Sequence, residues 1–217
     1  MKKYTLILFV LLLAGNARAQ QYEKNILGVR AGLNVSKLAV SAEDMRLSTG
    51  WRTGFHFAVS DQVLLTRKLP LYLETGVDFS SRGGKIALAQ YGEVYRTTPR
   101  PFYLQVPLLV SYHFNVRNLL TIQPFAGIYG GVGLRGRMEF DYLGKEELFG
   151  DRGMLYRLDF GVRAGVGFAV KRIYLGVSYD IGCMNQFKGT EFFGYETRVS
   201  EVRIQNDCLT VMIGYNF

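Results

Sequence analysis

The chain has 217 residues, with 26 Lys and Arg against 18 Asp and Glu, a formal net charge of +8 and 48% hydrophobic residues. The excess of base is modest and acids mingle with it, and no Lys/Arg run interleaved with aromatics marks a nucleic-acid surface, which argues against a nucleic-acid partner and for attraction to anionic lipid headgroups. The length suits one all-β domain, and the 25 glycines form no low-complexity tract.

Met1, Lys2 and Lys3 form a charged n-region, residues 4–14 an apolar h-region, and Ala17-Arg18-Ala19 a small-x-small cleavage site. The apolar run is shorter than the roughly 20 residues of a spanning helix. Residues 1–19 therefore read as a cleaved signal peptide and 20–217 as one exported domain of 198 residues, with the charge reduced from +8 to +5 by loss of Lys2, Lys3 and Arg18. No cysteine follows the h-region, so a lipid-anchored N-terminus is not expected.

Eight segments then alternate apolar with polar or glycine residues. In the first, Leu27, Val29, Ala31, Leu33 and Val35 share one face, and Gly28, Arg30, Gly32, Asn34 and Ser36 the other. Successive side chains of a strand point to opposite faces, so such a strand needs one apolar and one polar surround. The pattern returns over 51–59, 71–80, 103–113, 121–134, 158–169, 173–182 and 209–217, and no Asp, Glu, Lys or Arg falls on any of the eight apolar faces. The connections 37–49, 81–101, 135–154 and 184–207 are long, whereas 61–69, 114–119 and 170–172 are short. Long loops on one side and short turns on the other are the habit of outer-membrane barrels, whose strands need about 9–11 residues to cross at a tilt. The expected fold is an all-β, eight-stranded, antiparallel, up-and-down transmembrane β-barrel in the bacterial outer membrane.

Lipid offers no partner to an open sheet edge, so strand eight must pair with strand one. An eight-stranded barrel has an interior just wide enough for side chains to fill. The expected lumen charges, Arg30, Arg52, His56, Glu74, Asp78, Asp159, Arg163 and Asp180, nearly balance and should pair with one another rather than hold open a pore. Two registers follow. If Ser60 lies opposite Pro70, Arg52 faces Asp78 and His56 faces Glu74. If Lys171-Arg172 is a two-residue hairpin turn, Val170 lies opposite Ile173 and Arg163 opposite Asp180, with Phe168 beside Leu175 and Val166 beside Val177 on the lipid side. Pro107 cannot donate to a ladder, so a bulge or a hydrogen-bond gap is expected there.

Chemical motifs are sparse. Gly131-Val-Gly-Leu-Arg-Gly136 matches a dinucleotide fingerprint but lacks the helix that would meet a pyrophosphate. Asn34-Val-Ser36 matches a glycosylation sequon but lies within a strand. Ser111 and His113 share a face, yet no orienting third group is indicated for nucleophilic catalysis. Two histidines and two cysteines, widely separated, give no metal-site spacing, and no cofactor or catalytic residue is expected. Cys183 and Cys208 flank the last long loop in an oxidising compartment, which favours a disulfide. Their parity opposes it, because Cys183 continues the lipid face and Cys208 the lumen face, so a bridge requires an intervening bulge. The loop beginning at Met184 carries Phe187, Phe192, Phe193 and Tyr195 among charges, a recognition composition that makes it the expected partner-binding loop.

Tyr103-Leu-Gln-Val-Pro-Leu-Leu-Val-Ser-Tyr112 and Gln123-Pro-Phe-Ala-Gly-Ile-Tyr-Gly-Gly-Val132 resemble successive strands of small PorT-like, porin-family outer-membrane β-barrel domains. The terminal Cys208-Leu-Thr-Val-Met-Ile-Gly-Tyr-Asn-Phe217 resembles the signal by which the barrel-assembly machinery recognises its clients. The resemblance covers the mature chain. It implies an integral barrel embedded in outer-membrane lipids, a transient partner in the assembly machinery and, for some relatives, assistance in secretion; it carries over no catalytic residue. The expected function is a non-enzymatic surface-contact, structural or secretion-accessory role through the extracellular loops. Passive transport of small solutes is the alternative, and a lipid-modifying enzyme the third reading.

Overall fold

The computed structural model describes residues 23–42, 47–90, 93–117, 119–140, 144–150, 153–188, 191–192, 195–196 and 202–217. The expected signal peptide lies outside the described residues. Eight long strands make the wall: β1 (Asn25–Ala42), β2 (Arg52–Leu64), β3 (Leu71–Ser81), β4 (Glu93–Tyr112), β5 (Leu120–Phe140), β6 (Leu158–Val170), β7 (Ile173–Gly182) and β8 (Val202–Asn216). Each pairs antiparallel with its neighbours, and β8 pairs with β1 from Gly28↔Asn216 to Ala42↔Val202. The sheet is therefore closed, an eight-stranded antiparallel barrel in which no wall strand leaves an edge to lipid.

Alternation sets the two faces. On β7 the burial pattern alternates without a break, with Tyr174, Ser178 and Asp180 inward and Ile173, Leu175, Val177 and Ile181 outward. Leu33, Phe55, Val106, Leu108, Leu175, Val211 and Ile213 are all about half exposed, forming an apolar exterior that only a hydrocarbon surround accommodates. No helix among the described residues is long and apolar enough to cross a membrane; the crossing is made by strands.

Several strands outrun their sequence-based bounds. The β1, β4, β5 and β8 strands continue well into what reads as extracellular loop. Their outward residues there meet water rather than lipid, so the apolar/polar alternation that betrays a membrane strand fades. Short strands Lys85–Gln90 and Gly144–Glu147 lengthen the wall further by pairing onto the extensions of β4 and β5, and Leu47–Gly50 pairs in turn onto Lys85–Gln90.

The β6–β7 register is the expected one. Val170 pairs with Ile173, Phe168 with Leu175, Val166 with Val177 and Arg163 with Asp180, and Lys171 takes the left-handed φ of 54° in the turn. The β2–β3 register is not. His56 pairs with Ser80, Ala58 with Asp78 and Gln62 with Glu74, so Arg52 does not face Asp78 and His56 does not face Glu74. Both strands run on to Leu64↔Tyr72 before turning, because inward Gln62 and outward Val63 prolong the alternation past Ser60. The resulting shift is even, so every side chain keeps its face while changing its neighbour.

Pro107 leaves a gap on one side only. The β3–β4 ladder runs from Leu71↔Tyr112 to Thr75↔Leu108 and resumes at Asp78↔Gln105, while Pro107 keeps its partner Tyr129 on β5. Gly76, in the gap, meets β2 so closely that a Cβ would lie 2.1 Å from the Val59 carbonyl oxygen. The bulge in this part of the wall lies at Phe102/Tyr103 instead.

Candidate functional site

The lumen is the site that the sequence nominates, and the barrel brings most of its charges together. Arg30, His56, Glu74, Asp78, Asp159, Arg163 and Asp180 are buried inside, and Arg52 is half-buried. Towards the periplasmic end, Glu74 accepts from the Arg30 guanidinium and, at 2.8 Å, from the Gln62 amide. Arg30 also lies over the Tyr174 ring, 4.1 Å from its centroid. The flat guanidinium thus meets an acid at its edge and an aromatic at its face, both arrangements that suit it better than an ammonium.

At mid-barrel Arg163 holds Asp180 with two hydrogen bonds, Nε to Oδ1 at 2.8 Å and Nη2 to Oδ2 at 3.0 Å, and its Nη1 bonds Asp78. Asp180 has a second cation that sequence reading missed. Arg82, fully buried, bonds Asp180, the Gln105 amide oxygen at 2.8 Å and the Ser80 hydroxyl at 3.0 Å. A signal was present: Arg82 continues the inward parity of Glu74, Asp78 and Ser80 beyond the expected strand end. Arg52 reaches the same segment, donating to the Arg82 carbonyl at 2.7 Å. Arg30, Arg52, Arg82 and Arg163 thus balance Glu74, Asp78, Asp159 and Asp180 in a low-dielectric interior, where an unmatched charge is expensive.

Not every expected partner is used. Among the described residues His56 Nδ1 and Asp159 Oδ1 have no hydrogen bond, while Asp159 Oδ2 lies 3.5 Å from the Asn206 amide. Arg30, His56, Ser60 and Asp78 border a cavity of about 10 Å³, space for about one water molecule. A separate cup of about 350 Å³ opens at the periplasmic mouth beside Tyr72, His113, Gln123 and Lys171. In its wall His113 stacks on Tyr72 at 4.0 Å, and behind it the Ser111 hydroxyl lies 3.3 Å from His113 Nε2. Asn34 is fully buried, donating to Ser80 Oγ at 2.9 Å and accepting from Thr210 at 2.8 Å, so the sequon is a lumen hydrogen-bond node. Among the described residues no group of three His, Cys, Asp or Glu side chains could hold a metal ion.

Above the charges the lumen turns apolar. Leu38, Ile86, Tyr103, Met138 and Ile204 point inward from the wall and pack around Leu148, Phe149, Leu155 and Phe187 from the extracellular connections. Gly133 makes the seat for Phe149, since a Cβ there would fall 2.4 Å from its ring. Phe187 is fully buried in this plug, which corrects its assignment to an exposed binding surface. The backbones of Phe192 and Tyr195 pair in a small hairpin, and Phe193 lies outside the described residues.

Cys183 and Cys208 are free thiols, the first exposed and the second buried. Cys208 faces the lumen as the ladder partner of Asp180, and no bulge brings Cys183 round to meet it. Alkylation without reductant is expected to label Cys183 in the folded protein and both thiols after unfolding; an intact mass showing neither thiol reactive after unfolding would contradict this geometry.

A closed barrel with an apolar outer wall and a lumen filled by polar and charged side chains defines an integral outer-membrane β-barrel. The chain belongs to the outer membrane protein beta-barrel domain family, which matches residues 18–188, and it resides in the bacterial outer membrane. Among solved structures it is similar to Neisserial surface protein A, at 15% identity over 88% of this chain and 97% of that one, with a TM-score of 0.46. It is also similar to OprG from Pseudomonas aeruginosa, at 9% identity over 92% and 99% with a TM-score of 0.49. The outer membrane protease OmpT from Escherichia coli is similar at 8% identity over 91% and 99%, with a TM-score of 0.43. These likenesses are of fold, across proteins of different roles. No curated protein matches the chain.

Proposed function

We propose that this protein is a non-enzymatic barrel that works through its extracellular end and does not pass solute through its lumen. The observation that carries the reading is the filled interior: the ion-pair layer around Asp180, itself fully buried, lies beneath an apolar plug contributed by wall and loops together. A solute would have to part both. The Ser111–His113 pair has no described carboxylate bonded to the ring and is buried on the lumen side rather than on the lipid face, which favours a structural role for it. Within this reading, a surface-contact or secretion-accessory task of the kind implied by the PorT-like resemblance falls to the strand extensions and loops. Purified protein reconstituted in planar bilayers is expected to give no reproducible conductance in concentrated KCl. Stable unitary currents would overturn the reading in favour of a small-solute channel.

A further inference from the structure

The cup at the periplasmic mouth is built from the ends of strands. Tyr72 from β3, Gln123 from β5, Ala169 from β6 and Asn216 from β8 line it, with His113 just past β4 and Lys171 in the β6–β7 turn. Its volume of about 350 Å³ falls within the range of about 300–1,000 Å³ that holds small ligands. The cup is blind. One inward step deeper on β3, Glu74 is bonded to Arg30 and Gln62, and one step deeper on β5, Phe125 is buried. Whatever occupies the cup therefore enters and leaves from the periplasm.

Part of the wall is fixed by its own contacts: His113 stacks on Tyr72, whose hydroxyl donates to the Glu23 carbonyl at 3.1 Å. Two primary amides of the wall are not. Gln123 is 3% exposed and Asn216 7%, yet among the described residues Gln123 Oε1 and Asn216 Oδ1 have no hydrogen bond. A buried acceptor left in that condition weighs against folding unless something donates to it.

The mouth is also cationic. The three short connections carry Arg67, Lys68, Arg117, Lys171 and Arg172 and no Asp or Glu. All five are exposed, and the acidic side chains at this end are Glu23, which lines the cup, and half-buried Asp61 on β2. Of the two cations that line the cup, Arg172 donates to the Tyr215 hydroxyl at 3.0 Å, and Lys171 is in no salt bridge among the described residues.

Cations at the rim call for an anion, and unpartnered amide oxygens call for N–H donors. An inorganic anion supplies only the first and a neutral sugar only the second. The carboxyl end of a peptide supplies both within one residue, a carboxylate and the last backbone N–H. We infer that the cup binds the carboxyl-terminal end of a peptide, with its carboxylate at Lys171 and its last amides on Gln123 and Asn216. Cell-wall stem peptides, which end in D-alanine, and polypeptides, which end in L-residues, share this chemistry. The site lies at the opposite end from the extracellular loops and stands whether or not those have a partner.

Isotope-labelled folded protein in detergent micelles, titrated with diacetyl-lysyl-D-alanyl-D-alanine, its L,L isomer and its carboxyl-terminal amide, tests the inference by nuclear magnetic resonance. The side-chain amide signals of Gln123 and Asn216 are expected to shift saturably with a free acid, and the better isomer names the source: D,D the cell wall, L,L a polypeptide. The carboxyl-terminal amide is expected to bind about tenfold more weakly, the loss of one charge-assisted bond. Lys171→Gln should weaken the free acid about tenfold and leave the amide unchanged. Gln123→Leu should weaken both about tenfold while leaving unfolding stability unchanged or raised, because it removes a buried acceptor that the fold itself does not satisfy. If Gln123 were merely structural, the variant would lose stability instead. Heat-modifiability on gels reports folding; if Gln123→Leu does not fold, Lys171→Gln, at an exposed turn, carries the test. Absence of a saturable shift at millimolar peptide, equal binding of acid and amide, or undiminished binding by the folded variants overturns the inference. Displacement of the peptide by sulfate at comparable concentration would make the cup a general anion site and overturn the peptide assignment.

Discussion

Asp180→Ala is expected to cost about 3–5 kcal/mol of unfolding free energy, because it strands buried cations. Two guanidiniums converge on this carboxylate, Arg163 from the neighbouring strand and Arg82 from the end of β3. They are not equivalent. Arg163 keeps Asp78 when Asp180 is removed, whereas the remaining partners of Arg82 are the neutral groups of Gln105, Ser80 and Tyr129. Adding Arg82→Met to Asp180→Leu should therefore restore much of the loss, since the Arg163–Asp78 pair then stands alone and balanced. Adding Arg163→Met to Asp180→Leu should restore little, since Arg82 and Asp78 are each left without their counterion. Urea unfolding in lipid vesicles of the singles and both doubles measures the difference. Equal recovery in the two doubles would show that Arg82 does not depend on Asp180.

Phe187→Ala is expected to cost about 3–5 kcal/mol in the extracellular plug, the usual loss for a buried phenylalanine. The side chain is fully buried, and its connection is tied to β8 by a bond from the Gln186 amide to the Ile204 carbonyl at 2.9 Å and to the segment before β6 by one from the Tyr156 amide to the Gln186 carbonyl at 2.7 Å. Truncation empties the centre of a cluster to which β1, β4, β5 and β8 all contribute. The extracellular connections should then be cut by added protease at concentrations that leave the wild type intact, while the membrane-embedded strands stay protected. A variant as resistant as wild type would show that the connections are held by other contacts. The same measurement separates a packing role from a binding role, because a purely surface-binding aromatic would leave protease resistance unchanged.

The closed barrel, the two faces of each strand and the inward set of charges were legible because a membrane strand is read by parity. One apolar and one polar surround impose a period of two, and Leu27–Val35 or Ile173–Gly182 carry it without a break. The tight turn at Lys171-Arg172 made the β6–β7 register legible as well, since so short a loop leaves one pairing that keeps charges out of lipid. Where the connection was longer, parity alone could not distinguish registers that differ by an even number of residues. His56 and Glu74 were assigned to the correct face but to the wrong neighbours. Three-dimensional closure decided the rest. It brought Arg82 across the lumen to Asp180, 98 positions away in the chain, and folded Phe187 inward among residues of four wall strands. It also inserted Leu134 as a bulge that reverses the facing of Arg135 and Arg137. Faces are a local property of a strand in its solvent; partners across a lumen depend on how eight strands tilt and stagger to close, and that is settled only by the whole barrel at once.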